Sequence, residues 1–352
     1  MKNSLLFLPI LLLSMIGCQI DKTPKVLVGF QPQDADSRAS LRGVSAVDDS
    51  VCWVSGSNGT VMRTTDGGNS WEKHVVPGHH QSDFRDIHAF SASKAIVMSI
   101  GSPAKIFRTN NGGKTWWLTY FYDNPDAFLD GIDFWNENEG IAFGDQIDGR
   151  IFILKTDNGG NSWYEIPVDN QPAALEGEGG FAASGTSIRA GFDSLVWIGL
   201  GFPRGRVLYS NDKGITWDFQ LTGMGNGDSS RGVYSIDFNK KREMIAVGGS
   251  WNKPVQEDLT ACTSPDGGSN WMMVEENKPM GYRSCVAFIP ETDFAMCTGT
   301  TGTDISFDKG RNWENVDQTP FNSLSWSPTG KSGWIVGNEG KMAKLIVSEA
   351  TK

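Results

Sequence analysis

The chain has 352 residues, with 41 acidic against 31 basic side chains and a formal net charge of −10. An acidic surface argues against non-specific binding to nucleic acid, because the phosphate backbone attracts basic proteins. The 42 Gly and 13 Trp residues are typical of a β-protein with many tight turns.

Residues 1–17 have the pattern of a secretory signal. Lys2 precedes an apolar run from Leu5 to Ile16, which is too short to cross a membrane as a helix. The following residues, Met-Ile-Gly-Cys ending at Cys18, resemble a lipobox, although Met stands where Leu is usual. This resemblance implies cleavage before Cys18 and a lipid on its sulfur, which would hold the protein at a bacterial membrane in the cell envelope, periplasmic or on the surface. The alternative is a simple secretory signal.

The remaining chain is one repeat domain. We expect residues 18–24 to link the anchor to a domain that spans 25–352. Six octets in this domain share the pattern Ser/Thr-x-Asp/Asn-x-Gly-x-Ser/Thr/Asn-Trp, and they recur every 42 to 54 residues. They end at Trp71, Trp116, Trp163, Trp217, Trp271 and Trp313. A unit of this length with one fixed turn is typical of a repeat architecture.

The octet has the residue types of a tight turn between two strands. Thr64 and Asp66 can bond nearby backbone amides, Gly68 can take a positive φ, and Trp71 begins the outgoing strand. The second and third copies carry Asn in place of the Asp. We expect those turns to survive, because Asn accepts the same hydrogen bonds.

Three short strands precede each octet and one follows it. The predicted inner strands begin near Arg42, Arg85, Asp130, Arg189, Tyr234, Arg283 and Asn322. The seventh unit has three strands and no octet, whereas residues 25–29 form an isolated strand near the start. Pairing that strand with the last unit would close the ring and remove its exposed edges. The sequence therefore predicts an all-β, seven-bladed β-propeller whose last blade is closed by the N-terminal strand.

The octets resemble the Asp-box of the bacterial neuraminidase repeat. In such propellers the box joins the third and fourth strands on the face away from the binding site, so the resemblance implies a structural role for each box. Residues 333–340, Gly-Trp-Ile-Val-Gly-Asn-Glu-Gly, match the recurring Gly-Trp-x-Val-Gly-x-x-Gly of the photosystem II stability and assembly factor family. Residues 181–186 resemble a stretch in a bacterial subgroup labelled oxidoreductase. The family resemblance implies a binding and assembly protein with a central arginine patch, here Arg42, Arg85, Arg189 and Arg283.

Ligand-binding residues are expected where the inner strands begin. Four guanidinium groups around a central funnel could grip carboxylates or phosphates in bidentate fashion. Alternatively, they pair with local acids and line a wet channel. Asp130 occupies the corresponding position in the third blade, and Tyr282 precedes Arg283. Asp145, in a loop between the second and third strands of its blade, should lie on the same face.

The longest interruption of the repeat runs from Pro167 to Thr186. It is rich in Gly and Ala, and it connects the third blade to the fourth. Loops of this length inside a compact domain are often functional. Glu178 is therefore an acidic candidate ligand-binding residue, and a mobile surface loop is the alternative.

The sequence predicts no metal and no cofactor. His79 and His80 are adjacent without a third ligand at suitable spacing, and no phosphate-binding or dinucleotide-binding glycine motif stands in the right context. The cysteines lack metal-ligand spacing. Cys285 and Cys297 flank a predicted turn, so either a disulfide or two buried thiols are compatible with the sequence.

Two functions follow from these patterns. The preferred hypothesis is a monomeric, lipid-anchored module that binds a protein or an anionic small molecule or glycan at its central funnel. The alternative is a sialidase-like glycoside hydrolase, with Tyr282 or Tyr234 as nucleophile and Glu178 as its partner. The Arg-Ile-Pro start common in sialidases is absent from the chain.

Overall fold

The computed structural model describes residues 26–225 and 227–349. Within them, 28 strands form seven sheets of four antiparallel strands each. Two short 3₁₀ turns, Val168–Asn170 and Asn338–Gly340, are the other regular elements of the described chain. The prediction of an all-β, seven-bladed β-propeller is confirmed. The signal, the lipobox and Cys18 lie outside the described residues.

Blades 1 to 4 each read from the innermost to the outermost strand in chain order. The N-terminal strand is β1, Val26–Gln33. Blade 1 consists of β2 Leu41–Ala46, β3 Cys52–Gly56, β4 Val61–Thr64 and β5 Glu72–His74. Blade 2 consists of β6 Phe84–Ala89, β7 Ala95–Ser99, β8 Ala104–Thr109 and β9 Trp117–Tyr122. Blade 3 consists of β10 Leu129–Phe134, β11 Gly140–Ile147, β12 Arg150–Thr156 and β13 Tyr164–Glu165. Blade 4 consists of β14 Ile188–Gly191, β15 Leu195–Gly199, β16 Arg206–Ser210 and β17 Asp218–Leu221.

Blades 5 and 6 follow the same order, and blade 7 takes its outermost strand from the other end of the chain. Blade 5 consists of β18 Arg231–Phe238, β19 Met244–Ser250, β20 Ala261–Ser264 and β21 Met272–Met273. Blade 6 consists of β22 Cys285–Phe288, β23 Ala295–Gly299, β24 Gly302–Ser306 and β25 Glu314–Asp317. Blade 7 consists of β26 Ser323–Trp326, β27 Ser332–Val336, β28 Met342–Glu349 and β1.

The N-terminal strand closes the ring as predicted. β1 pairs with β28 over eight residues, from Val26 opposite Glu349 to Gln33 opposite Met342. This pairing joins the two ends of the described chain within one sheet, so the last blade has its full set of four strands. Closure of this kind lets the ring resist opening, because separating blade 7 from its neighbours would expose apolar faces on both sides.

The Asp-box turns are tied internally by short polar side chains. In the first box, the Gly68 N–H donates to Thr64 Oγ1 at 2.8 Å, and the Ser70 N–H donates to Asp66 Oδ1 at 2.9 Å. Hydrogen bonds from Ser70 and Thr64 lower the pKa of Asp66 to about 2. Asn111 retains the turn, since its Oδ1 accepts the N–H of Thr115 at 3.0 Å.

Apolar cores lie between neighbouring blades rather than at the centre of the ring. Seven buried clusters each combine side chains from two adjacent sheets. Polar side chains of the inner strands join the blades a second time, because each accepts a backbone N–H from the next blade. These bonds run from Ala89 to Ser45, Ile132 to Asp86, Ala190 to Asp133, Phe288 to Asp237 and Ala46 to Ser325.

The disulfide considered between Cys285 and Cys297 is not formed. Both are free, buried thiols on adjacent strands β22 and β23. Cys285 packs into the core between blades 6 and 7, whereas Cys297 packs into the core between blades 5 and 6. Their side chains therefore lie on opposite faces of one sheet, which keeps the sulfurs apart.

Candidate functional site

The centre of the ring is occupied by the chain's own connection between blades 3 and 4. We call residues 180–186 the plug and the surrounding inner strands the hub. Ser184 Oγ donates to the Ser284 carbonyl at 2.7 Å, and Ser323 Oγ donates to the Ser184 carbonyl at 3.1 Å. The Thr186 and Ser235 hydroxyls lie 2.6 Å apart. The long interruption is therefore a built part of the hub in this structure.

The plug fits the hub because its residues are small. Gly185 has φ +76°, and a Cβ there would lie 2.1 Å from Asp86 Oδ1. At Gly180, a Cβ would lie 2.6 Å from Asp130 Oδ2. Only glycine leaves room for these carboxyl groups. The Gly- and Ala-rich composition that was visible in the sequence thus reflects close packing inside the hub.

Glu178 anchors the plug and is not exposed to solvent. Its side chain is 0% exposed, and that of Arg206 on β16 is 5% exposed. Glu178 Oε1 accepts the Arg206 Nε–H at 2.7 Å, and Oε2 accepts Arg206 Nη2 and the Leu175 N–H. Arg206 Nη2 also donates to the Ala173 carbonyl at 3.0 Å. We call this arrangement the latch. Sequence reasoning found Glu178 but missed Arg206, which stands at the start of a third strand and carried no signal of its own.

Arg42 and Arg85 lie at the hub mouth, the end of the hub where the inner strands begin. Arg42 Nη1 donates to the Ala183 carbonyl at 3.0 Å, and Arg85 Nη1 donates to the Ala182 carbonyl at 3.3 Å. Arg85 Nε also bonds Asp83 Oδ2 at 2.8 Å. Arg42 has no ion pair among the described residues, and burial together with the charge of Arg85 lowers its pKa. The mouth therefore carries two close guanidinium groups with one carboxylate between them.

The other two arginines are not part of this arrangement. Arg189 pairs with Asp237 at 3.0 Å and lines a cavity with Asp86 and Asp133 on the far side of the plug. Arg283 is fully buried, and its Nε donates to Asp304 Oδ2 at 2.7 Å. The structure thus brings together two of the four predicted arginines.

Strand register explains this difference. Arg42, Arg85 and Asp130 are each the extra residue of a β-bulge, between Leu41 and Gly43, Phe84 and Asp86, and Leu129 and Gly131. Arg189 lies opposite Trp197 in regular pairing on β14. Arg283 precedes β22, and its N–H donates to the Gly248 carbonyl. A bulge re-aims its extra side chain, so one residue of misalignment changes which part of the hub a side chain reaches.

Two carboxyl groups flank the plug inside blade 3. Asp130 is 1% exposed, and neither of its oxygens has a hydrogen-bond partner among the described residues. Burial and the nearby Asp145 raise the pKa of Asp130 well above its ordinary range. Asp145 Oδ1 accepts the Gly180 N–H at 3.0 Å, and burial raises its pKa too. These groups touch the plug rather than open solvent.

An aromatic stack lies beside the mouth arginines. The ring of Phe181 stacks on Tyr234 with centroids 3.7 Å apart, and Tyr234 meets Tyr282 edge to face at 4.8 Å. Burial raises the pKa of the Tyr282 phenol, and Arg42 acts in the opposite direction. Tyr282 is 5% exposed and Tyr234 is 2% exposed. Sequence reasoning did not assign Phe181 a role, although its family-like setting was noticed.

The cavity beyond the plug has a volume of about 230 Å³. Asp86, Asp133 and Asp237 line it, and each already accepts backbone N–H groups from a neighbouring blade. Burial raises the pKa of Asp86 to about 7. Across residues 26–225 and 227–349, no three His, Cys, Asp or Glu side chains converge as metal ligands. In the same ranges, no helix is long and apolar enough to cross a membrane.

These features define an Asp-box, seven-bladed β-propeller with a plugged hub. A family profile described as photosynthesis system II assembly factor YCF48 matches residues 27–122. The photosystem II assembly lipoprotein Ycf48 of Synechococcus sp. (strain CC9902) is 24% identical over 168 residues, which are 47% of this chain and 49% of that protein. The chain thus spans about half the length of the curated relative that it matches.

Two solved structures share the fold along nearly the whole chain. The structure titled "YCF48 bound to D1 peptide" has a TM-score of 0.63 and 16% identity, covering 91% of this chain and 95% of the other. YCF48 from Cyanidioschyzon merolae has a TM-score of 0.63 and 17% identity, covering 90% and 98%. The chain therefore resembles the photosystem II assembly factor family, as its sequence motifs predicted.

Proposed function

We propose that this chain is a protein-binding propeller that holds an acidic segment of its partner against the hub mouth. The observation that carries the proposal is the arginine pair. Arg42 bonds a backbone carbonyl of the plug and has no carboxylate partner among the described residues. A carboxylate placed there would form charge-assisted hydrogen bonds, which are stronger than bonds to a neutral carbonyl.

The partner is expected to be a protein because of what the relatives are described as binding. One solved structure of the same fold is titled as bound to D1 peptide, and the curated relative is named an assembly lipoprotein. A peptide can cover the mouth and the aromatic stack together, whereas the plug leaves no open funnel for a small glycan. The acidic candidates Asp130, Asp145 and Glu178 would then support the plug rather than touch the partner.

The lipid anchor is a separate part of the proposal. Cys18 follows a lipobox-like sequence, and the curated relative is named a lipoprotein. We expect the mature protein to carry an acyl chain on Cys18 and to face the cell envelope. Mass spectrometry of the protein from membranes should show the acyl mass, and Cys18→Ser should release the protein into the soluble fraction. A membrane-bound Cys18→Ser protein would contradict the anchor.

Glycoside hydrolysis finds little support in the site. Both Glu178 oxygens bond Arg206 or the backbone, and the two candidate tyrosines are buried. A nucleophile and its acid partner must reach the substrate in a shared open cleft. A fluorogenic sialoside should therefore show no turnover.

The experiment compares binding of D1 peptide to the wild type and to the double variant Arg42→Ala/Arg85→Ala. We expect at least about a tenfold loss of affinity, which corresponds to about 1.4 kcal/mol. Arg311→Ala, an exposed arginine in the sixth Asp-box, is the matched control and should bind normally. A peptide with its Asp and Glu replaced by Asn and Gln should bind weakly to all three proteins. Equal affinity of the wild type and the double variant would refute the mouth as the site.

A further inference from the structure

A second concave surface lies on blade 4, away from the arginine pair. We call it the blade-4 groove; it is lined by residues 175–177, Phe202, Pro203, Arg204, Phe219 and Leu221. Its volume is about 640 Å³. Pockets of this size that are mostly apolar, with a few polar groups at the rim, are typical of binding sites.

Hydrogen bonds hold both walls of the groove in place. On one wall, the Leu175 carbonyl accepts the Glu178 N–H at 3.0 Å and the Gln146 side chain at 3.2 Å. On the other wall, the Gly227 N–H donates to the Pro203 carbonyl at 3.1 Å. A pre-formed groove loses little conformational entropy when it is filled, so more of the contact energy contributes to affinity.

The floor of the groove exposes apolar side chains on one face of β17. Phe219 is 45% exposed and Leu221 is 48% exposed, and they are two residues apart on the strand. Phe219 lies opposite Leu208, which belongs to the core between blades 3 and 4. The groove therefore extends that core to the surface, where no described residue covers it fully. Exposed apolar patches of this kind mark interaction sites.

Two features of the rim point to the chemistry of the occupant. β17 is the outermost strand of its sheet, so its outer backbone edge is unpaired within the described chain. An extended peptide can add to such an edge, and every second side chain then lies on the face of Phe219 and Leu221. Arg204 is exposed and has no ion pair among the described residues. A carboxylate beside the apolar side chain would complement it.

We propose that the blade-4 groove docks an extended segment of a partner protein that carries a bulky apolar side chain next to a carboxylate. This inference rests on the proposed protein-binding function, but it uses a different surface. A second copy of the chain is a poorer occupant, because both copies carry a net charge of −10. The wall formed by Leu175 continues directly into Glu178, so a docked segment also lies against the latch of the plug.

The probe is a fluorescein-labelled peptide set, Ser-Thr-X-Thr-Z-Thr-Ser, where X is Phe, Leu, Trp, Tyr or Ser and Z is Asp, Glu or Lys. Fluorescence anisotropy with the full chain should show binding for members that combine an aromatic or leucine X with an acidic Z. Phe219→Ser and Leu221→Ser should each weaken that binding by at least about tenfold. Arg204→Ala should weaken it about threefold, and only for acidic Z.

Phe121→Ser on β9 is the matched control, because Phe121 is 53% exposed on another outer strand. It should leave peptide binding unchanged, and so should Arg42→Ala/Arg85→Ala. The double variant thus separates failure of the groove from failure of the mouth. Leu221→Ser protects the test against a folding defect in Phe219→Ser, whose ring stacks on Arg206 at 4.7 Å.

Three results would overturn the proposal. One is a peptide set in which no apolar-acidic member binds better than the Ser-Lys member. Another is normal binding by both Phe219→Ser and Leu221→Ser. The third is a dimer in sedimentation, or flotation with phosphatidylglycerol vesicles, that Phe219→Ser abolishes, since that would assign the groove to a second copy or to a lipid surface.

Discussion

Breaking the latch should release the plug before it unfolds the propeller. Glu178→Ala removes both acceptors of the Arg206 guanidinium in a place where the two side chains are 0% and 5% exposed. Arg206 would keep its bond to the Ala173 carbonyl but would face an empty space where a carboxylate had been. A buried charge that has lost its partner is strongly destabilising.

The magnitude follows from burial. Removing one member of a buried ion pair costs about 3–5 kcal/mol. Since Glu178 belongs to the connection and not to a blade, the cost falls on the equilibrium between seated and released plug. The protection of plug amides against hydrogen exchange should then fall by about two to three orders of magnitude. Glu178→Gln keeps one acceptor and should cause a smaller loss.

The measurement is hydrogen–deuterium exchange of residues 178–186 by mass spectrometry, with β11 as the internal reference. Glu139→Ala is the control, because its ion pair with Lys213 is 30% and 39% exposed and should contribute about 0.2–1 kcal/mol. Glu178→Leu combined with Arg206→Met should restore much of the protection, since no charge is left buried. Unchanged exchange of the plug in a folded Glu178→Ala protein would refute the latch.

Three further outcomes follow from the hub and blade 6. Arg283→Ala should lower the free energy of unfolding by about 3–5 kcal/mol in urea denaturation, because it leaves Asp304 buried without its partner; a change below about 1 kcal/mol would contradict this. Gly185→Ala should displace the plug, seen as faster exchange at 180–186, because its Cβ would meet Asp86 at 2.1 Å; unchanged exchange would argue against tight seating. The pKa of Asp86 is raised to about 7, so its contribution to stability is full below about pH 4 and is lost as pH rises through 7. Urea midpoints measured from pH 4 to pH 8 should show this slope reduced in Asp86→Asn, and an equal slope would contradict it.

The fold was predictable because it is written in repeated local chemistry. Each Asp-box turn closes through bonds between residues no more than four positions apart, such as Gly68 to Thr64. Such turns depend little on the rest of the protein, so their spacing alone predicts the blades. The isolated strand at the start and the incomplete unit at the end then left one way to close the ring.

The hub was only partly predictable, because it depends on register. Arg42 and Arg189 look equivalent in sequence, as each stands near the start of an inner strand. β2 contains a bulge at Arg42, whereas β14 starts directly after the plug and pairs regularly at Arg189. No local signal distinguishes the two cases. Burial of Arg283 was equally hidden, since its partner Asp304 lies 21 residues away on another strand.

The plug could not be predicted because its partners are distributed around the ring. Ser184 bonds residues of blades 6 and 7, and Thr186 bonds a residue of blade 5. Contacts over such sequence distances follow from the closed ring and from no segment alone. The Gly- and Ala-rich composition was the available sign, and it fits a flexible surface loop equally well.

The plug also explains how the mouth can hold two arginines while it waits for a partner. Each guanidinium keeps one hydrogen bond to a neutral carbonyl, at Ala183 for Arg42 and at Ala182 for Arg85. A net bond to a neutral acceptor contributes about 0.5–1.5 kcal/mol, and one between charged groups about 1.5–3 kcal/mol. A partner carboxylate that replaces one carbonyl therefore gains about 1–1.5 kcal/mol, or roughly tenfold in affinity. Because the displaced carbonyl must find another donor, that gain is largest when the partner uses the free N–H groups of Arg42 and leaves the plug seated.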